Sequence, residues 1–227
     1  MSEQRIAVIV GAGAGLSASV ARAAAADGMM PVLAARNPDK LNVLEAITGG
    51  VAKACDASNP DDVAALFDWV SSTHGVPELV VYNPSARVRG PIADLDPEAV
   101  QKAIMITAYG GFLVGQAATQ AMQARGSGTI LFTGASASVK GYVNSSCFAM
   151  GKFALRGLAQ SMARELAPKG IHVGHFVIDG GIGESNDPAN PNRLHPDHIA
   201  ESYFHLHNQP RSAWTWEIEL RPFVETF

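Results

Sequence analysis

Short apolar runs recur along the chain, and between them the apolar positions fall at helical spacing. The runs are Ile6 to Val10 (IAVIV), Met30 to Ala35 (MPVLAA), Val51 to Cys55, Leu79 to Tyr82 (LVVY), Thr129 to Thr133 (TILFT) and Ile171 to Val177 (IHVGHFV). Each is short for a helix and largely without polar alternation, so they predict strands buried on both sides. The stretches between them predict helices: from about Ser17 to Ala25, Asp39 to Thr48 with Leu41, Leu44, Ala46 and Ile47 apolar, Asn59 to Thr73, Pro97 to Arg125, and Cys147 to Leu166. Asn59 followed by Pro60 reads as a helix cap and first position. Pro168-Lys169-Gly170 closes the helix that starts at Cys147, and Gly110-Gly111 marks an irregular point in the long helix. Strands alternating with helices predict an α/β/α fold in three layers, a doubly wound parallel sheet of about seven strands.

The last part of the chain changes character. Asp179 to Pro196 holds three glycines and three prolines and reads as a loop. Pro196 to His207 predicts a short helix, and Asn208 to Ser212 is polar. Trp214 to Leu220 (WTWEIEL) alternates, which predicts a last strand at the sheet edge. No internal repeat and no linker divides the sequence, so residues 1–227 read as one domain.

Composition narrows the class. A hydrophobic fraction of 47% in 227 residues supports a sizeable core. The net charge of −4 argues against a general nucleic-acid binder. Cys55 and Cys147 offer neither a disulfide framework nor a metal set, a usage that fits a reducing compartment. No apolar run approaches the roughly 18 residues of a membrane span. The opening MSEQR leads straight into a strand without the pattern of a signal peptide. The expectation is a cytoplasmic protein with no membrane, nucleic-acid or metal partner.

The candidate chemistry starts at the first strand. Gly11, Gly13 and Gly15 follow Ile6 to Val10 and precede a helix. Free amides and a partial positive charge at a helix start hold a pyrophosphate, and glycines let the backbone approach it. A tight βα turn without a ligand is the plainer alternative.

The residues now in view resemble the short-chain dehydrogenase/reductase family over essentially the whole chain. VGAGAGLS stands where that family has T-G-x-x-x-G-x-G. CDAS follows the third strand and VVYNPSA stands where the family has N-N-A-G. FALRGLAQSMARELAPKGIHV is similar to the active-site helix and following strand. HNQPRSAWTWEIELRPF resembles the C-terminus of an atypical subgroup whose active-site tyrosine is phenylalanine.

The resemblance implies a dinucleotide site built by Gly11, Gly13, Gly15 and Leu16, with Ser17 at the third family glycine and Val10 at its leading threonine. Asp56 and Ala57 take the adenine side. Asn83 matches the second Asn of N-N-A-G, with Tyr82 at the first. Ile182 and Lys152 complete the set, Lys152 reaching the ribose hydroxyls. NAD-preferring members carry an acid at the end of the second strand. Here Ala35 is followed by Arg36, and a guanidinium suits a 2′-phosphate, so NADP is expected ahead of NAD. Arg36 as a solvated turn residue is the alternative.

The same resemblance implies an altered catalytic set. The family's Asn, Ser, Tyr and Lys fall on Thr107, Ala135, Phe148 and Lys152. Phe148 has no proton to exchange. Tyr142 is the first candidate to replace it. Ser136, Ser138, Tyr109 and His175 follow, each with a blander reading as a loop anchor, a turn residue or a core histidine. Cys147 reads as a small buried residue. The function this implies is an NADP-dependent oxidoreductase moving hydride to or from a carbonyl or alcohol on a small-molecule substrate. The alternatives are a catalytically weak or inactive dinucleotide-binding regulator, or a vestigial glycine turn. The 180–196 loop should border the substrate cleft. A homodimer or homotetramer is expected through helices 97–125 and 148–166 and the last strand, whose aromatic edge would otherwise be exposed.

Overall fold

The computed structural model describes residues 4–183 and 191–225. Its strands are β1 (Ile6–Val10), β2 (Met30–Ala35), β3 (Val51–Ala54), β4 (Leu79–Tyr82), β5 (Gly128–Thr133), β6 (Ile171–Ile178), the short pair β7 (Gly181–Ile182) and β8 (Arg193–Leu194), and β9 (Glu217–Leu220). Its α-helices are α1 (Leu16–Ala26), α2 (Asn42–Thr48), α3 (Pro60–Thr73), α4 (Pro97–Ile104), α5 (Gly110–Gln123), α6 (Ser146–Leu166) and α7 (Pro196–His207). The main sheet runs β3-β2-β1-β4-β5-β6-β9, with every pair parallel.

Strand alternation builds two cores. Ile6, Val8, Val10 and Phe132 pack with α3, α5 and α6, while Ala7, Ile9, Leu33 and Phe176 pack with α1, α2 and α7. The chain winds outward from β1 to β3, then returns to β4 on the other side of β1. That reversal is where a doubly wound sheet opens a crevice at the carboxyl ends of its strands. Gly11 shapes the crevice: its φ is +80°, and a Cβ there would lie 2.8 Å from the Pro84 nitrogen. The turn after β1 therefore sits directly on the loop after β4.

Three expectations need correction. The long helix is interrupted before Gly110-Gly111: Met105–Tyr109 forms a π-helical turn between α4 and α5. Tyr82 accounts for it, since its buried hydroxyl donates to the Ile106 carbonyl that the wider turn leaves available. Gly110 then lets the helix resume against Tyr82 and Ala57 without a Cβ in the way. The last strand starts at Glu217 rather than Trp214. Trp214 instead stacks flat on His172 at 4.5 Å and donates its indole N–H to the Gln209 carbonyl at 3.1 Å. The stretch predicted as a loop between Asp179 and Pro196 contains the β7–β8 pair, and its residues 184–190 lie outside the described residues. Asn59 caps α3 through its side chain, as its position before Pro60 predicts.

Candidate cofactor and substrate clefts

A cleft of about 850 Å³ opens at the reversal point, lined by Gly11, Gly13, Arg36, Asp56, Ala57 and Asn83 among others. The first intrahelical bond of α1 runs from the Ser19 N–H to the Gly15 carbonyl at 3.1 Å. The Leu16, Ser17 and Ala18 amides therefore precede the helical ladder. Gly15, with φ +86°, turns the chain into α1 and is exposed. The Leu16 side chain is buried in the core, which leaves its backbone amide as the part that can serve a ligand.

Ser17 does something the sequence does not reveal. It is buried, its hydroxyl donates to the Gly11 carbonyl at 2.9 Å, and it accepts from the Asn83 side-chain amide at 2.7 Å. Ser17 and Asn83 thus lock the glycine turn to the loop after β4. The serine caps no helix; Gly15 is the residue before α1 and offers no side chain.

The outer end of the cleft carries cations. Arg36 and Lys40 both line it and both are exposed. Asp56 accepts the Ser58 N–H at 3.0 Å and the Ser58 hydroxyl at 2.7 Å, bonds that hold its carboxyl below the usual carboxylate range, with Arg36 and Lys102 adding to the effect. Cys55 also lines the cleft, but burial pushes its thiol up to about 12, so it is no nucleophile. Free amides at a helix start, a glycine cradle and a cationic outer end fit a phosphorylated dinucleotide.

A second cleft of about 730 Å³ adjoins the first, and Asn83 and Ser85 line both. Its inner wall contains Thr133, Gly134, Ala135, Phe148 and Lys152. Lys152 is almost wholly buried, and its ammonium donates to the Thr133 carbonyl at 2.6 Å. Burial first, and the charge of Arg87 second, push its pKa down to about 7. Gly151, one residue before it, lies so close to Thr107 that a Cβ would meet the threonine side chain at 3.0 Å. The small residue lets α6 close on the π turn and fixes the level of Lys152.

The remaining candidates separate. Thr107 is buried and lines neither cleft; its hydroxyl accepts the Ala86 N–H at 3.0 Å and faces the Ala86 carbonyl at 3.4 Å. Ala135 presents a methyl group, and its N–H donates to Ser138 Oγ at 3.2 Å. Tyr142 stands at the rim, 45% exposed, with the Lys140 ammonium 5.5 Å from its ring centroid. Ser136 lines the cleft, whereas Ser138 is fully buried. His175 is also fully buried, with Nε2 3.4 Å from Ser138 Oγ and Nδ1 3.0 Å from the Glu217 carboxylate. Desolvation pushes its pKa down to about 4. It is a satisfied core histidine, its Nδ1–H donating to Glu217. Tyr109 stacks on Phe112, and Cys147 is buried with its sulfur near the Val100 carbonyl. Ile182 lines the second cleft and not the first, beside Asp179, Gly180 and Gly181. Gly180, Gly181 and Ile182, at the start of the 180–196 stretch, therefore border this cleft, while residues 184–190 lie outside the described residues.

Three further cations line the clefts. Lys40 joins Arg36 at the outer end, and Arg87 and Arg89 line the inner cleft. The alternating R-V-R just after the fourth strand was the available signal.

Comparison with known proteins agrees with this geometry. A family model described as short chain dehydrogenase matches residues 5–183. The chain is similar to a short-chain dehydrogenase from Rhodopseudomonas palustris, with 36% identity, coverage of 96% of this chain and 99% of that one, and a TM-score of 0.85. It is similar to a metagenomic short-chain oxidoreductase in complex with NADP, with 27% identity, coverage of 97% and 98%, and a TM-score of 0.85. It is also 31% identical to the cis-4-hydroxycyclohexanecarboxylate dehydrogenase of Sinomonas cyclohexanicum over 75% of this chain and 70% of that protein.

Proposed function

The chain belongs to the short-chain dehydrogenase family, and from that premise we propose that it is an NADP-dependent oxidoreductase acting on a carbonyl or alcohol. The observation that carries this is the continuity of the two clefts through Asn83 and Ser85, with the buried Lys152 on the inner floor. The Gly13, Leu16 and Ser17 amides would hold the pyrophosphate, Asp56 and Ala57 the adenine side, and Arg36 with Lys40 the 2′-phosphate. Lys152 would hold the ribose hydroxyls of the nicotinamide. When bound, the nicotinamide supplies or accepts the hydride. Two relatives support the reading: one is solved with NADP, and another is named for a dehydrogenase of a hydroxylated carboxylate.

This member works with an altered set, Thr107, Ala135, Phe148 and Lys152. Thr107 braces a loop, Ala135 and Phe148 are apolar, and Lys152 binds. Orientation of substrate against cofactor remains as the source of rate, without the roughly 10²–10⁴-fold help of a tyrosine acid. A slow enzyme is the expectation.

A second reading is a dinucleotide-binding regulator without turnover. It is favoured by the position of Tyr142, a rim residue and the single tyrosine lining the inner cleft among the described residues. Consumption of NADPH with a panel of aldehydes and ketones decides between the two. Turnover above the protein-free rate supports the enzyme. If Phe148→Tyr with Ala135→Ser creates turnover where the native chain has none, the regulator is the better account.

The same proposal includes a homodimer or homotetramer. Phe112 on α5 and Met150 and Phe153 on α6 are exposed large apolar residues on the predicted contact helices. Light scattering coupled to size exclusion tests it, and a monomer at micromolar concentration contradicts it. It also places the protein in the cytoplasm, which fits the free thiols of Cys55 and Cys147.

A further inference from the structure

The loop after β4 brings a guanidinium to the place where the family's tyrosine would act. The Arg87 guanidinium carbon lies 4.0 Å from the centroid of the Phe148 ring, and the Lys152 ammonium lies 5.9 Å from the same centroid. Two cations thus share one aromatic ring at the floor of the inner cleft. The arrangement is electrostatically costly. Burial and Arg89 lower the pKa of Arg87, and Arg87 in turn helps to lower that of Lys152.

The ring covers one face of the guanidinium and leaves its N–H edge unused. Among the described residues no hydrogen-bond acceptor meets Arg87. Other arginines of this chain do find acceptors: Arg156 forks onto Glu217 at 2.7 and 2.8 Å, and Arg125 donates to the carbonyls of Val76 and Pro77. Five donors on a planar fork can take a planar carboxylate in a bidentate, charge-assisted pair.

The loop is held for this purpose at both ends. Thr107 clamps the Ala86 N–H at 3.0 Å, and the Gly90 N–H donates to the Asn144 carbonyl at 3.2 Å. Asn144 is the one non-glycine residue with positive φ, +58°, among the described residues. Two of the altered family positions therefore serve the same side chain: Thr107 fixes the backbone next to Arg87, and Phe148 supplies the ring beneath it. Charge around the cleft is consistent. Its lining carboxylates are Asp179, already matched by Lys140 at 3.5 Å and Arg221 at 3.6 Å, and Glu225, so Arg87, Arg89 and Lys152 against Glu225 leave a positive excess on a chain whose net charge is −4.

We propose that Arg87, assisted by Arg89, binds the carboxylate of the substrate, and that the substrates are short oxo- and hydroxycarboxylates. The words oxo and hydroxy rest on the oxidoreductase reading above; the carboxylate does not.

The test is calorimetric titration of the full chain, with and without NADP⁺, using 2-oxobutyrate and 4-oxopentanoate and their methyl esters. The acids should bind and the esters should bind more weakly. Arg87→Gln should weaken acid binding about 10–100-fold, as loss of a charged hydrogen-bonding partner does. The same variant should leave ester binding unchanged, and Arg87→Lys should fall between. Acids that bind no better than esters, or that keep their affinity in Arg87→Gln, overturn the proposal. Arg87 is exposed, so both variants should melt with the parent. If Arg87→Gln does not fold, Arg87→Lys and Arg89→Gln must each weaken acid binding. Arg87-dependent acid binding without NADP⁺ binding would keep the carboxylate site and remove the oxidoreductase reading. NADP⁺ binding without acid binding would do the reverse.

Discussion

Lys152 is the residue on which stability and binding meet. Its ammonium is desolvated, so its folded pKa, about 7, is below the ordinary 10.5. At high pH the amine is neutral in folded and unfolded chains and costs nothing. As pH falls from there toward 7 the unfolded chain takes up the proton first, so the folded state loses stability. Below 7 the loss is complete and constant. Lys152→Met removes this penalty. It should raise stability more at pH about 6 than at pH about 10.5, with a difference on the order of 4 kcal/mol. Scanning calorimetry at the two values checks it; equal shifts would show that Lys152 is not desolvated as described. Lys152 was legible through the family resemblance, which implies a lysine four residues after the position that Phe148 holds; without it the residue reads as a surface lysine on a helix. Arg87 was not legible. Its partner is an aromatic ring 61 residues along the chain (148 − 87), and only folding shows that the ring lies beneath it.

At the scale of elements, the strands and most helices follow from their patterns, because an apolar run buried on both faces has few other options. The π turn did not follow. It depends on Tyr82, which lies on another strand and captures the Ile106 carbonyl. Thr107 sits within that turn and reaches the Ala86 backbone because of it. Thr107→Val keeps the shape and deletes the hydroxyl, leaving the Ala86 amide without its partner. Urea denaturation should show a loss of about 1–3 kcal/mol; an unchanged midpoint would mean that the clamp contributes nothing. The glycine turn is tied in the same manner by Ser17 and Asn83. Gly11→Ala must force φ away from +80° and press a methyl onto Pro84. It should abolish dinucleotide binding, measured by fluorescence titration, and an affinity within a few-fold of the parent would contradict the cradle.

Across the whole molecule the sheet order puts the glycine turn, the loop after β4 and the start of α6 at one end. The topology was readable from the alternation of elements, but the join between β6, β9 and α6 was not. Glu217 makes that join by taking both Arg156 and His175. Its role needs three elements that are distant in sequence. Glu217→Gln should cost about 1–3 kcal/mol in urea denaturation, since a charged hydrogen-bond partner is lost from a partly buried network; no cost would show the edge strand is held by its backbone ladder alone. The paired clefts are proposed to act as one dinucleotide site. Its most direct test is titration of the protein with NADPH and with NADH, followed by energy transfer from the tryptophans to the nicotinamide. NADPH should bind more tightly than NADH, and Arg36→Ala should remove most of that preference. Absence of binding by either dinucleotide would contradict the account.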